Sequence, residues 1–354
     1  MTDHSKLTRR SFNMLLAGSA AVCMPSIARA QTRNLSVVIS AIYRKSFEAY
    51  VVPRMKEEHN VDVALSTMLS AEALTRAMGQ RANPQISLFT LDEGPWEQGK
   101  RLNLWGAVTP ETVPNVASIP PAFRDPGGAG TALFSYMTGF CYDEEALKAA
   151  GVPVPGPFFD MWSPAFKNRI ALPQFTNTFA YITLQNTARL LGEGSTGSFD
   201  KAFAKLHDLR PNVRTFIGPI GQLIQLFQQK EIWLSFAPQL TALQAAKAGL
   251  PIKWAAPSDG AVAFSHYLAV ARNAPNSEDA LKLANMMLSP DYQKVLAETD
   301  FMVPANPKTK LDPAFAASFP VTPEIVAKAS TVSWALYNDK RVELSERWQR
   351  EVQS

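Results

Sequence analysis

Five short stretches of the 354-residue sequence hold side chains suited to binding chemistry. "TLDEGPW" (90–96) sets Asp92 and Glu93 beside Trp96. Two carboxylates can pair with an amine while an indole stacks on it; the plainer reading is an acidic surface turn. "AVAFSHYLAVA" (261–271) carries Phe264, His266 and Tyr267 through an apolar run. Its imidazole can meet a carboxylate or hydroxyl of a ligand or serve as a structural side chain. In "QFTNTFAY" (174–181), Thr176, Asn177 and Thr178 stand between an apolar strand pattern and a helix pattern. They can hold an anion or hydroxyl at the helix start, or simply cap the helix. "SAIYRKSF" (40–47) offers Ser40 and Tyr43, with the solvated cations Arg44 and Lys45 beyond them, and "LSFAPQL" (234–240) offers Phe236 and Gln239, where a helix entry at Pro238 is the alternative.

Catalytic and metal chemistries find little support. His59, His207 and His266 are scattered, with no Cys/His cluster for a metal. "GEGSTG" (192–197) has the G-x-G-x-x-G spacing but follows a helix pattern rather than a strand, so it fails the dinucleotide test. No Walker A, G-x-S-x-G or H-E-x-x-H motif occurs, so no catalytic residue and no cofactor is expected.

These stretches sit where strands pass into helices. "LSVVIS" reads as a buried strand and "VDVALST" and "ISLFTL" as the second and third strands, separated by helix patterns in "FEAYVVPRMKEEH" and "SAEALTRAMGQ". Pro53 interrupts the first helix pattern, and Ser70 reads as the N-cap of the second. A second block runs from "RIALPQF" to "PIKWAAP", with Phe199, Ala202, Phe203, Leu206 and Leu209 on one helix face. The alternation predicts a parallel, right-handed α/β sheet in each block. Extended runs at 131–142 and 261–271 join the blocks. Helix patterns return from Ser277 to Glu298 and from Val332 to Val352.

Near the start, Arg9-Arg10 precede a short, diluted apolar run that closes on Ala28-Arg29-Ala30. That is too short for a membrane span and fits an export leader of twin-arginine type, residues 1–30. Without Lys6, Arg9, Arg10, Arg29 and Asp3, 31 basic and 30 acidic residues remain, a net of +1. That balance offers no basic stripe for nucleic acid. Cys141 is then the one cysteine left, and it reads as a buried small hydrophobe.

The segments "TGFCYDEEALKAAG", "FDMWSPAFKNRIALP", "APSDGAVAFSHYLAVARNAPN", "EDALKLANMMLSPDYQKVLA" and "ELSERWQREV" occur in the order seen in a known family. On them the mature chain resembles bacterial periplasmic solute-binding proteins of ABC importers, in the group of spermidine/putrescine, iron and aminophosphonate receptors. The resemblance implies a two-lobed α/β fold of type II-like topology with hinge strands and a ligand cleft between the lobes. Lobe 1 would comprise residues 31–134 plus 262–320, lobe 2 residues 135–261, and a helical tail residues 321–354. It implies a periplasmic monomer that captures a small polar, amine- or carboxylate-bearing solute and hands it to an inner-membrane permease with its ATPase. Polyamine receptors carry an aromatic residue at the position of Phe264 and an aspartate at that of His266. This sequence keeps the first and departs from the second. Ferric receptors of the group often use adjacent tyrosines, and no Tyr-Tyr occurs here. A secreted enzyme on the same fold, a ferric-ion receptor and a signalling receptor are the alternatives.

Overall fold

The computed structural model describes residues 32–194, 197–321 and 323–354. The twin-arginine leader expected at 1–30 lies outside the described residues. Nine principal strands follow in order: β1 (Arg33–Ile39), β2 (Val61–Thr67), β3 (Leu88–Asp92), β4 (Thr131–Asp143), β5 (Ile170–Pro173), β6 (Val213–Ile217), β7 (Leu234–Pro238), β8 (Ile252–Ala255) and β9 (Val262–Val270). They lie in one sheet of order β2-β1-β3-β9-β4-β7-β5-β6, with β8 pairing β4.

The sheet is mixed rather than parallel. β1 pairs in parallel with β2 and β3, and β5 with β6 and β7. Between these two parallel sets stand β4 and β9, antiparallel to each other and to both flanks. The alternation of strands and helices in sequence is met at the two ends of the sheet, where crossover helices return the chain in the same direction. The centre departs because β4 and β9 are the two extended runs that carry the chain from one set to the other. All thirteen residues of β4 are buried, Thr131, Ser135, Thr138 and Asp143 among them, as in a strand covered on both faces.

The helices pack by the faces their spacing predicts. Phe199, Ala202, Phe203, Leu206 and Leu209 are all essentially inaccessible along Asp200–Asp208. Burial of each large apolar side chain in that row contributes roughly 1.5–3 kcal/mol. Pro53 is accommodated by a π turn, Phe47–Val51, that loosens the helix just ahead of it. The helical signal from Ser277 to Glu298 is two helices, Ser277–Met287 and Pro290–Asp300, because Ser289 caps the second and Pro290 cannot continue the first. Gly139 on β4 is required by close approach. A Cβ there would lie 2.6 Å from the Ala255 carbonyl oxygen and from the Trp254 ring.

Arg33–Ser354 forms one compact unit. The C-terminal helix Trp334–Trp348 ties the two ends of the sheet together. Arg101 meets Asp339 at 2.9 Å and Asn338 donates to the Gly94 carbonyl on one side, while Arg347 meets Asp200 at 3.0 Å on the other. No helix among the described residues is long and apolar enough to cross a membrane.

Candidate ligand site

The register of the central strands assembles the site. β3 and β9 run antiparallel with Asp92 opposite His266, and the carboxylate and the imidazole Nδ1 are hydrogen-bonded at 2.9 Å. On the other side of β9, Phe134 and Tyr136 of β4 stand opposite His266 and Phe264. These directly opposed pairs stack: Phe134 on His266 at 4.9 Å and 10°, Tyr136 on Phe264 at 4.5 Å and 21°. Cross-strand neighbours on one face of a sheet meet in this way. The match depends on a register shift at Leu133. Ala132 still faces Tyr267, but from Phe134 onward the pairing has slipped by one, which brings the aromatic pair opposite His266 and Phe264.

Other elements close the box. Phe179, in the first turn of the helix Thr178–Leu190, packs edge-on to Phe264 at 5.4 Å, and Trp334 of the C-terminal helix does so at 5.8 Å. Tyr43, which follows β1, lies edge-on to Phe134 and His266. Its hydroxyl is hydrogen-bonded to Thr90.

Glu93, the first residue of the helix Glu93–Arg101, turns its carboxyl toward this box and accepts the Ser265 N–H at 3.3 Å. Burial pushes its acid up to about 7, and the Ser265 N–H and Trp334 indole offset this only in part. The Trp334 Nε1–H faces the Glu93 carboxyl without a hydrogen bond of normal geometry. Burial likewise raises the Tyr136 and Tyr337 hydroxyls, with the Asp92 charge adding to both. Asp92 keeps 22% of its side chain exposed, so the site retains an opening at its acidic end. The result is a closely packed aromatic cluster with two carboxylates on one side. Rings and carboxylates together are the groups that attract an organic cation.

The sequence-predicted residues divide into those brought together and those that are not. Tyr43, Asp92, Glu93, Phe264 and His266 converge. Thr176, Asn177 and Thr178 lie at the start of the helix that supplies Phe179. Asn177 caps that helix by accepting the Phe179 N–H at 3.0 Å, and its amide donates to the Gly218 carbonyl, so its polar atoms are already used. Ser40 is half-buried after β1, just ahead of Tyr43. Arg44 pairs with Glu48 on the surface.

Three residues stand elsewhere. Phe236 is fully buried, packed edge-on against Phe140 and Phe158 in the core. Gln239 is also fully buried; it accepts the Met137 N–H at 2.8 Å and donates to the Phe301 carbonyl at 3.1 Å, which makes it a brace between chain segments. Tyr267 points to the opposite face of β9 from His266 and stacks on Trp96 at 4.0 Å, so both rings lie off the stacked face, although the Glu93 charge adds to the rise that burial gives the Tyr267 hydroxyl. Ser70 is not the N-cap of its helix, since Leu69 occupies that position; its hydroxyl accepts the Asp92 N–H instead.

Phe134, Tyr136, Phe179, Trp334 and Tyr337 were not singled out from the sequence. The period-two aromatic pair in "LFSYM" was the one available signal for the first two. Among the described residues no cluster of His, Cys, Asp or Glu can hold a metal ion. A cavity of about 430 Å³ between the Trp254 and Phe315 side chains lies away from this cluster.

Comparison with known proteins agrees with this architecture. Residues 50–321 match the family described as bacterial extracellular solute-binding protein. A spermidine/putrescine-binding periplasmic protein of Salmonella typhimurium is 28% identical over 194 residues, 54% of this chain and 51% of its own. A periplasmic protein of Salmonella typhi, provisionally named as 2-aminoethylphosphonate-binding, is 26% identical over 193 residues, covering 52% of this chain and 54% of its own. The chain thus spans about half the length of the curated relatives it matches. Among solved structures, an ABC transporter protein of Clostridium perfringens superposes with a TM-score of 0.78 at 23% identity, covering 90% of this chain and 99% of its own. The spermidine/putrescine substrate-binding protein of Streptococcus pneumoniae does so with a TM-score of 0.73 at 17% identity, covering 89% and 99%. These likenesses show a shared fold. With most of the described chain inside the matched region, the protein belongs to the bacterial extracellular solute-binding protein family.

Proposed function

We propose that the protein is the substrate-binding component of an ABC importer, and that it captures a small organic cation between two lobes. The observation that carries this reading is that Asp92, bonded to His266, and Glu93, bonded to the Ser265 N–H, border the cluster of Phe134, Tyr136, Phe264 and Trp334. The named substrates of the relatives, polyamines and an aminophosphonate, all bear an amine, which agrees with an acidic, aromatic site.

The lobes of this reading are residues 31–134 with 262–320, and residues 135–261, with residues 321–354 as a tail that touches both. β4 and β9 serve as the hinge. A ligand bridging Asp92 and Glu93 on one side and Phe179 on the other binds the closed form better and shifts the population toward it. The closed form is then offered to an inner-membrane permease, whose ATPase supplies the energy. Export through a leader at residues 1–30 brings the chain, as a monomer, to the periplasm.

An enzyme on this fold is the second reading, because Asp92 orients His266 much as a carboxylate orients a catalytic base. Against it, no hydroxyl or thiol is hydrogen-bonded to the other ring nitrogen, the place a nucleophile would take.

Thermal unfolding of the purified protein against polyamines, amino acids, aminophosphonates, small carboxylates and ferric ion tests the reading. A ligand present at about 100 times its dissociation constant stabilises the fold by roughly 2.7 kcal/mol. An upward shift with amines, and recovery of the amine unchanged after incubation, is the expected outcome. A shift with ferric ion or simple carboxylates alone would overturn the organic-cation assignment.

A further inference from the structure

His266 Nδ1 is committed to Asp92, and the ring is 1% exposed between Phe134 and Tyr43. Its second nitrogen, Nε2, is buried and has no hydrogen-bond partner. The hydrogen bond made by one imidazole nitrogen fixes the role of the other. A carboxylate acceptor on Nδ1 places the ring proton there. Nε2 then carries a bare lone pair, buried in an aromatic wall that supplies no donor.

We infer that His266 is a specificity-determining residue whose Nε2 accepts a hydrogen bond from an N–H of the bound cation, so that the receptor takes primary and secondary amines and rejects quaternary ammonium ions. This inference rests on the organic-cation reading above and sharpens it. Aromatic faces and carboxylates alone attract both kinds of cation, since neither cation–π attraction nor charge pairing requires an N–H. Only the Nε2 lone pair separates them. A quaternary ion leaves that acceptor unpaired and adds a methyl group against it, the combination that gives sharp rejection of an analogue lacking one hydrogen bond. Asp92 is then a positioning residue for the imidazole, and Glu93, whose carboxyl accepts only a main-chain N–H at 3.3 Å, is the carboxylate left to balance the cation.

Titration calorimetry on two matched pairs tests this: ethanolamine against choline, and putrescine against its N-permethylated bis-quaternary form. The protein is expected to bind the N–H member of a pair at least roughly tenfold tighter than the quaternary member. In His266→Phe, which keeps a ring to stack on Phe134 but has no acceptor, that preference should collapse toward one. In His266→Gln, whose carbonyl oxygen restores an acceptor, it should return in part. Equal binding of both members by the wild-type protein would overturn the inference and leave the organic-cation receptor standing. Retention of the preference in a folded His266→Phe would remove His266 from the role. Binding of neither member of either pair would overturn both readings. The wild-type comparison decides the matter even where a variant does not fold.

Discussion

The hydroxyl of Ser70 accepts the backbone N–H of Asp92 at 2.9 Å. One short bond thereby fixes the end of β3 against the start of the helix Ser70–Gly79, and with it the carboxylate that orients His266. A residue that reads in sequence as a helix cap thus holds the acidic corner of the site in place.

Ser70→Ala leaves the Asp92 N–H without its partner. The expected cost is about 1 kcal/mol of stability. Amine affinity should fall by roughly fivefold, through misplacement of Asp92 rather than loss of a ligand contact. Chemical denaturation and titration of the same variant check both. An unchanged affinity with reduced stability would confine Ser70 to the fold.

Glu93 makes the protein's behaviour depend on pH in a definite direction. Its acid lies at about 7 when folded, against 4.5 ordinarily. Between those values the folded chain holds a proton that the unfolded chain has released, so this group's stabilisation is full below about pH 4.5 and is lost as pH rises to about 7. The total is on the order of 3 kcal/mol. A bound cation favours the ionised carboxyl, so amine binding should release up to one proton near pH 6 and tighten as pH rises. Calorimetry in buffers of different ionisation enthalpy reads the proton directly, and Glu93→Gln should abolish the release. The same release in Glu93→Gln would assign it to another group.

Phe264→Leu keeps an apolar side chain but removes the ring face opposite Tyr136. A stability loss of under about 2 kcal/mol is expected, since volume is largely conserved. Amine affinity should fall roughly tenfold with the lost cation–π contribution. An effect on stability alone, with affinity unchanged, would place Phe264 in the core and not at the ligand.

Cys141 is fully buried on β4, and burial pushes its thiol far above its ordinary value. A thiol reagent added to the native protein at pH 8 should leave Cys141 unmodified and should react with it once denaturant is added. Rapid labelling of Cys141 in the native state would show that β4 opens, as a mobile hinge strand would allow.

Much of the fold was legible in the sequence because its signals are local. Strands such as β1 and β3 show as apolar runs, and the row from Phe199 to Leu209 marks its helix by spacing alone. The antiparallel centre of the sheet was not legible, since strand direction is set by long connections and not by composition. Asp92 and Glu93 are legible because they follow a strand pattern, and Phe264 and His266 because they lie on the return crossing at positions that the family resemblance marks. Phe134 and Tyr136 were missed because their place depends on the register shift at Leu133, which no residue type in "TALFSYM" signals. Trp334 and Tyr337 reach the site from a helix about 70 residues further along the chain than His266, a contact that only tertiary packing creates. Phe236 and Gln239 were chosen by analogy of position after a strand. They turned inward because β7 pairs with β4 in the middle of the sheet, where both faces are covered.

Asp92 and Glu93 are the carboxylates expected to hold a cation at the aromatic cluster. Calorimetric titration of putrescine and ethanolamine into the wild-type protein and into the Asp92→Asn/Glu93→Gln double variant tests it most directly. Saturable one-to-one binding by the wild type and a loss of roughly 30-fold or more in the double variant are the expected results. Equal affinity in the two proteins, with the double variant folded, would contradict it.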